Sequence, residues 1–236
     1  MAETDFAVIG AEAGAMARGV TAAFTPPPSN IPNLFVFGFR SAVAGGQATA
    51  LYYNAANYAP LRDDAASATG GSVRAALKRG RSTTPNGYCA AIFLNLQGTS
   101  VQDVGYMLGL SNDEPSSIVL AKIAPGSGLD ATDTENILRT SSASFLQDTW
   151  VHLRLDTIVN PNGDVVLKCF QNNLTNYKVD DPTWETISGM DDYIDDSLSI
   201  NTGSNPLAGG YAGFCCYSSI VNGVALVDYF ECFRQK

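Results

Sequence analysis

The chain has 236 residues, enough for one large β domain with its own core, and no run approaches the ~18 apolar residues of a membrane-spanning helix. Its 14 basic and 23 acidic residues leave a net charge of −9, the wrong sign for a protein that tracks a nucleic-acid backbone. Nucleic acid and membrane are therefore not expected partners.

Residues 1–30 differ from the rest. Glu12 to Ala23 is rich in Ala and Gly, and Pro26-Pro27-Pro28 imposes a stiff extended segment. Two readings stay open: a first strand around Gly19–Phe24, or an extended N-terminal arm that orders against a neighbouring subunit. The segment lacks the basic start and apolar centre of a signal peptide, so export by that route is not expected. Residues 31–236 are expected to form a single sandwich domain.

From Asn33 strands follow closely. Leu34–Arg40, Ala48–Tyr53, Ser72–Lys78, Tyr88–Leu96, Gly105–Leu110, Ser117–Ile123 and Ile137–Ser142 are β-prone runs separated by Gly, Asn, Pro and Ser clusters. The clearest element is the hairpin over 149–172. Val151, Leu153 and Leu155 share one face of its first strand, and Val165, Leu167 and Cys169 share a face of its second. Pro161 stops the first strand, and Asn162-Gly163 is expected to supply the positive φ angles of the turn. Gly189–Asp196 is the one stretch that predicts a helical turn, a short acidic crossover. Tyr211–Ser218 and Ala225–Phe233 complete about eleven strands. Strands in such number, without a long helix, predict two stacked antiparallel sheets.

Five cysteines (Cys89, Cys169, Cys215, Cys216 and Cys232) show neither a zinc spacing nor a Cys-x-x-Cys pair. Most fall at strand positions and are expected as free core thiols in a protein assembled in a reducing cytosol. Arg74, Lys78, Arg79 and Arg81 form a basic cluster, expected to be a solvated strand end and turn.

Certain residues also carry a resemblance. Thr149-Trp150 with its alternating Leu and Arg, the Asn162-Gly163-Asp164 turn, Gly209-Gly210-Tyr-Ala-Gly-Phe214 and Val227-Asp228-Tyr-Phe-Glu231 resemble concanavalin A-like, laminin-G-like jelly rolls over residues 34–234. The resemblance implies a two-sheet antiparallel jelly-roll sandwich. Gly70–Arg79, Tyr106–Leu110, His152–Asp156, Pro182–Trp184 and Gly189–Asp191 are similar to jelly-roll structural proteins of tailed bacteriophages. That likeness implies a virion protein, assembled in the host cytoplasm, whose partners are copies of itself and other virion proteins. This superfold carries lectins, hydrolases, lyases and structural modules alike, so function must come from the site.

No reactive centre emerges. Glycosidases of this fold need paired carboxylates on one strand face, and none of the six glutamates, Glu3, Glu12, Glu114, Glu135, Glu185 and Glu231, stands in such a spacing. Asp191-Asp192 and Asp195-Asp196 cluster on the predicted turn, where solvation is expected. His152, the single histidine, lacks a nucleophile-elbow serine and is expected to stack or hydrogen-bond on a sheet face. Asp164 and Asp228 are where a calcium ion would sit if the resemblance extended that far, but two carboxylates fall short of the usual six to eight ligands. The expectation is no catalytic residue, no cofactor and no metal.

Sugar recognition calls for aromatic platforms beside amides. Tyr52, Tyr53, Asn54, Asn57 and Tyr58 make one such cluster, and Trp184 with Asn172, Asn173 and Asn176 makes another. Tyr and Asn are equally the contents of interfaces and loops. The expected function is a non-enzymatic structural component of a phage particle, on the capsid exterior or the tail. The alternative is a lectin-like module that binds a host-surface glycan.

Overall fold

The computed structural model describes residues 6–9, 14–18, 37–41, 47–53, 70–79, 88–96, 105–111, 115–123, 137–146, 149–172, 183–196, 206, 209–218 and 224–234. Among them are fifteen strands and no helix: β1 (Phe6–Ile9), β2 (Gly14–Arg18), β3 (Phe37–Ser41), β4 (Gln47–Tyr53), β5 (Gly70–Arg79), β6 (Tyr88–Leu96), β7 (Gly105–Leu110), β8 (Ser116–Ile123), β9 (Ile137–Phe145), β10 (Trp150–Val159), β11 (Val165–Asn172), β12 (Trp184–Thr186), β13 (Tyr193–Asp195), β14 (Tyr211–Ser218) and β15 (Val224–Arg234). The strands form two antiparallel sheets. One runs β1-β4-β14-β6-β7-β8-β9; the other runs β12-β11-β10-β5-β15-β3-β2, with β13 also pairing with β11.

The strands absent from the sequence expectation are the short ones: β1, β2, β12 and β13. Within the segment 1–30, β1 pairs with β4 and β2 pairs with β3. The expected strand at Gly19–Phe24 lies outside the described residues. Gly189–Asp196 is not a helical turn. A tight turn at Ser188-Gly189, closed by Met190 N donating to Ile187 O at 3.0 Å, leads into β13, because Val165, Val166 and Leu167 of β11 still offer an open ladder edge there.

The hairpin is as expected in its strands and different in its turn. Gly163 N donates to Asn160 O at 2.9 Å, which places Pro161 at the second turn position, where its fixed φ fits. Only Gly163 then takes a positive φ, +92°. Asn162 does not; its side chain bonds Asp164, Nδ2 donating to Oδ2 and Oδ1 accepting from Asp164 N.

Period-two alternation builds the core. Val73, Ala75 and Leu77 of β5, Val151, Leu153 and Leu155 of β10, and Val165, Leu167 and Cys169 of β11 meet Ile92 and Leu94 of β6, Leu108 and Leu110 of β7, and Phe214 of β14. Cys169 and Cys232 are free and buried, as expected of core thiols. The side chains of Cys89, Cys215 and Cys216 lie outside the described residues. The run Gly-Tyr-Met-Leu-Gly-Leu of β7 does not alternate, and all six residues are buried. Gly109 makes that strand's approach to β6 tolerable: a Cβ there would stand 2.3 Å from Ala91 Cβ.

Polar contacts join the sheets on the side where β9 faces β13. Ser142 N of β9 donates to Ser188 O at 2.9 Å, in the break between β12 and β13. Deeper in, Asp195 of β13 accepts from Lys122 Nζ of β8 at 2.6 Å and from Tyr106 Oη of β7 at 2.5 Å. The sandwich is stitched where its edge strand is broken.

Candidate functional site

The core side of β10 is apolar, so Trp150, His152, Arg154 and Asp156 necessarily share the opposite face of the sheet. Register then decides their neighbours. Arg154 lies opposite Arg74 of β5 and Phe170 of β11, and Asp156 lies opposite Ser72 and Lys168. Arg74 in turn lies opposite Glu231 of β15, and Asn172 lies opposite Trp184 of β12. Residues from five strands converge on one outer patch.

At its edge is the indole of Trp184, half-buried. His152 meets it edge to face, with centroids 4.8 Å apart and an interplanar angle of 61°. The guanidinium carbons of Arg74 and Arg154 stand 5.8 Å and 5.9 Å from its ring centroid. Arg154 also lies 5.4 Å from the Phe170 ring. Such cation–π contacts are worth about 0.5–1 kcal/mol at exposed sites and more when desolvated.

Two like charges directly opposed across a ladder repel. Here each has its own carboxylate. Arg154 forks onto Asp156, Nε to Oδ1 at 2.7 Å and Nη2 to Oδ2 at 2.6 Å, and Ser72 Oγ also donates to Oδ1. Arg74 is held differently: its Nε and Nη2 both donate to the single oxygen Oε2 of Glu231, at 2.9 Å and 2.5 Å. Asp156 is 5% exposed and Glu231 is 53% exposed.

His152 is buried beneath this layer. Burial, and next the positive charge of Arg74, pushes its pKa down from 6.5 to about 3. The ring is therefore neutral, and Asn172 Nδ2, 3.4 Å from His152 Nδ1, acts as donor to it. A base this weak is poorly matched to proton abstraction near neutral pH. Of the two roles expected of His152, stacked or hydrogen-bonded on a sheet face, the structure shows the hydrogen bond, with the ring edge to face against Trp184.

Other expectations change. Arg74 and Lys78 are not a solvated strand end: Lys78 is fully buried with Nζ 5.7 Å from the Trp150 ring centroid, and Arg74 belongs to the Trp184 patch. The side chain of Arg79 and all of Arg81 lie outside the described residues. In the acidic segment Asp192 pairs with Lys168 at the surface, yet Asp195 is 1% exposed rather than solvated. Its neighbour Lys122 makes that burial tolerable.

Asp164 is a turn residue bonded to Asn162. Asp228 pairs with Ala76 well along β5, whereas the Asp164 turn adjoins the Gly70 end, so the two calcium candidates do not converge. Among the described residues no group of three or more His, Cys, Asp or Glu side chains could hold a metal. Of the glycan candidates, Trp184 and Asn172 come together; Asn173, Asn176, Asn54, Asn57 and Tyr58 lie outside the described residues, as do the side chains of Tyr52 and Tyr53.

No family model matches the sequence, and no curated protein matches it. Its fold does have relatives. The carbohydrate recognition domain of Emp46p, in its metal-free form, superposes with a TM-score of 0.52 at 10% identity, over 98% of this chain and 88% of that one. The exoplasmic/lumenal domain of VIP36, bound to Ca2+ and Man3GlcNAc, gives 0.51 at 11% identity over 94% and 83%. The Emp47p carbohydrate recognition domain gives 0.50 at 8% identity over 99% and 90%. The chain has the concanavalin A-like jelly-roll fold. At these identities the likeness shows the fold alone.

Proposed function

We propose that this jelly roll is a non-catalytic carbohydrate-recognition module whose glycan lies against Trp184. One observation carries the reading: an indole partly open to solvent, bordered by two arginines, of which Arg154 is fixed by the buried carboxylate of Asp156. A sugar ring presents an apolar face to an aromatic and hydroxyls to planar donors, and donors fixed in advance lose little entropy on binding. The carbohydrate-recognition domains that share the fold support the same reading. The weakness of His152 as a base supports recognition without turnover.

The setting is host-surface attachment by a tailed-phage particle, supported by the sequence likeness in Gly70–Arg79 and His152–Asp156. A glycan array should show saturable binding that Trp184→Ala removes while the thermal transition stays within a few degrees. Absence of binding to every neutral and acidic glycan at millimolar concentration overturns the proposal. Release of reducing ends from any bound polysaccharide overturns its non-catalytic part.

A second reading, a particle component working through subunit contacts, is favoured by Leu146 and Ile194, which are 69% and 53% exposed at the lateral edge formed by β9 and β13. Concentration-dependent sedimentation that Leu146→Ser and Ile194→Ser abolish supports it; a monomer at all concentrations removes it.

A further inference from the structure

The two arginines of the Trp184 patch are not equivalent, and their difference names a ligand class. Arg154, 24% exposed, is clamped: both oxygens of a 5% exposed aspartate take its Nε–Nη2 fork, so the difference lies in the carboxylates and not in the arginines' own exposure. Arg74 gives two N–H groups to one oxygen of a carboxylate that is 53% exposed, and it is itself 21% exposed. An exposed pair of this kind adds little stability and exchanges readily with solvent and solutes. A free carboxylate could accept the same two N–H groups with two oxygens, the preferred side-on geometry.

We propose that the Trp184 site takes a carboxylated sugar, whose acid group replaces Glu231 on Arg74 while its ring lies against the indole. This rests on the glycan-recognition reading and sharpens it. Glu231 occupies the position on Arg74 that the ligand's acid group would take, with Arg74 5.8 Å from the Trp184 ring centroid. The net charge of −9 opposes long-range attraction of an anionic polymer, so recognition depends on this contact geometry.

The test uses the full chain with oligogalacturonate, whose carboxyl is on C6, and with sialyllactose, whose carboxyl is on the anomeric carbon. Each is compared with its methyl ester, and a panel of neutral oligosaccharides completes the set. The acid form of one probe should bind at least tenfold tighter than its ester, and Trp184→Ala and Arg74→Gln should each abolish binding. Glu231→Gln removes the resident competitor from an exposed position and should tighten binding roughly 2- to 5-fold, the worth of an exposed ion pair. Equal affinity for acid and ester, or weaker binding in Glu231→Gln, overturns the proposal. Neutral glycans alone binding, with loss in Trp184→Ala, overturns it and leaves the recognition reading intact. Silence across all arms overturns both.

Discussion

Lys122 of β8 and Asp195 of β13 form an ion pair 2.6 Å long between the two sheets, each side chain 1% exposed. Taking two charges out of water is costly, and their attraction offsets that cost only when the remaining polar atoms are also satisfied. Tyr106 supplies one further bond to Oδ2, while Oδ1 of Asp195 has no hydrogen-bond partner among the described residues. Breaking the pair from one side leaves a charge stranded in the core. Lys122→Met should lower the unfolding free energy by about 3–5 kcal/mol. The double variant Lys122→Met, Asp195→Asn should recover at least half of that loss in urea denaturation. Additive losses would show that the pair is not coupled.

His152 ties stability to acid. Its folded pKa, about 3, lies below the 6.5 of an exposed imidazole, so the unfolded chain binds the extra proton first. Stability is therefore undiminished above pH 6.5, falls as pH drops towards 3, and loses at most about 5 kcal/mol from this group. His152→Gln should flatten the dependence of the urea midpoint on pH between 4 and 6.5. Imidazole NMR shifts of the native protein that titrate near pH 6 would contradict the burial on which this rests.

The thiols of Cys169 and Cys232 are each pushed up to about 12, chiefly by burial. At pH 8 almost no thiolate forms, so native protein should leave both unalkylated by iodoacetamide while denatured protein labels fully. Site-resolved mass spectrometry reads the two separately from the other three cysteines. Rapid native labelling of either would mean that the core opens locally.

Two glycines separate space from backbone strain. Gly109 has Ala91 Cβ 2.3 Å and Ala90 O 2.5 Å from where a Cβ would go, so Gly109→Ala must push β7 from β6 and should cost about 1–3 kcal/mol or more. Gly163 has nothing within 4 Å but a φ of +92°. Gly163→Ala should therefore cost about 1–2 kcal/mol through the left-handed backbone alone. A reversed order in thermal melts would refute the close packing of β6 on β7.

Elements whose pattern is local could be read in advance. Tyr88–Leu96, Gly105–Leu110 and Tyr211–Ser218 have the bounds expected from sequence, because their apolar density and flanking Gly or Asn suffice. β12 and β13 could not be read: three residues each, with an acidic stretch between, they become strands only because β11 offers an unpaired edge. Burial of Asp195 escaped for the same reason. An aspartate in Tyr-Ile-Asp-Asp looks solvated until Lys122 and Tyr106 of the opposite sheet are placed beside it.

The candidate site divides the same way. Trp150, His152, Arg154 and Asp156 alternate with Val151, Leu153 and Leu155, so their shared outer face was visible in the sequence; of the aromatic and amide cluster marked out there, Trp184 and Asn172 do lie opposite each other on β12 and β11. Arg74 was misread as part of a solvated strand end: it stands mid-strand in β5, and its carboxylate, Glu231, lies far along the chain.

The order of amino acids by itself determined that this protein is a stack of β-layers, since alternation and turn residues act over a few positions. Only the tertiary structure decided that Arg74, Arg154, His152 and Trp184 share one patch. Strand order and register are set by burying two whole sheets against each other, and no short stretch of sequence contains that sum.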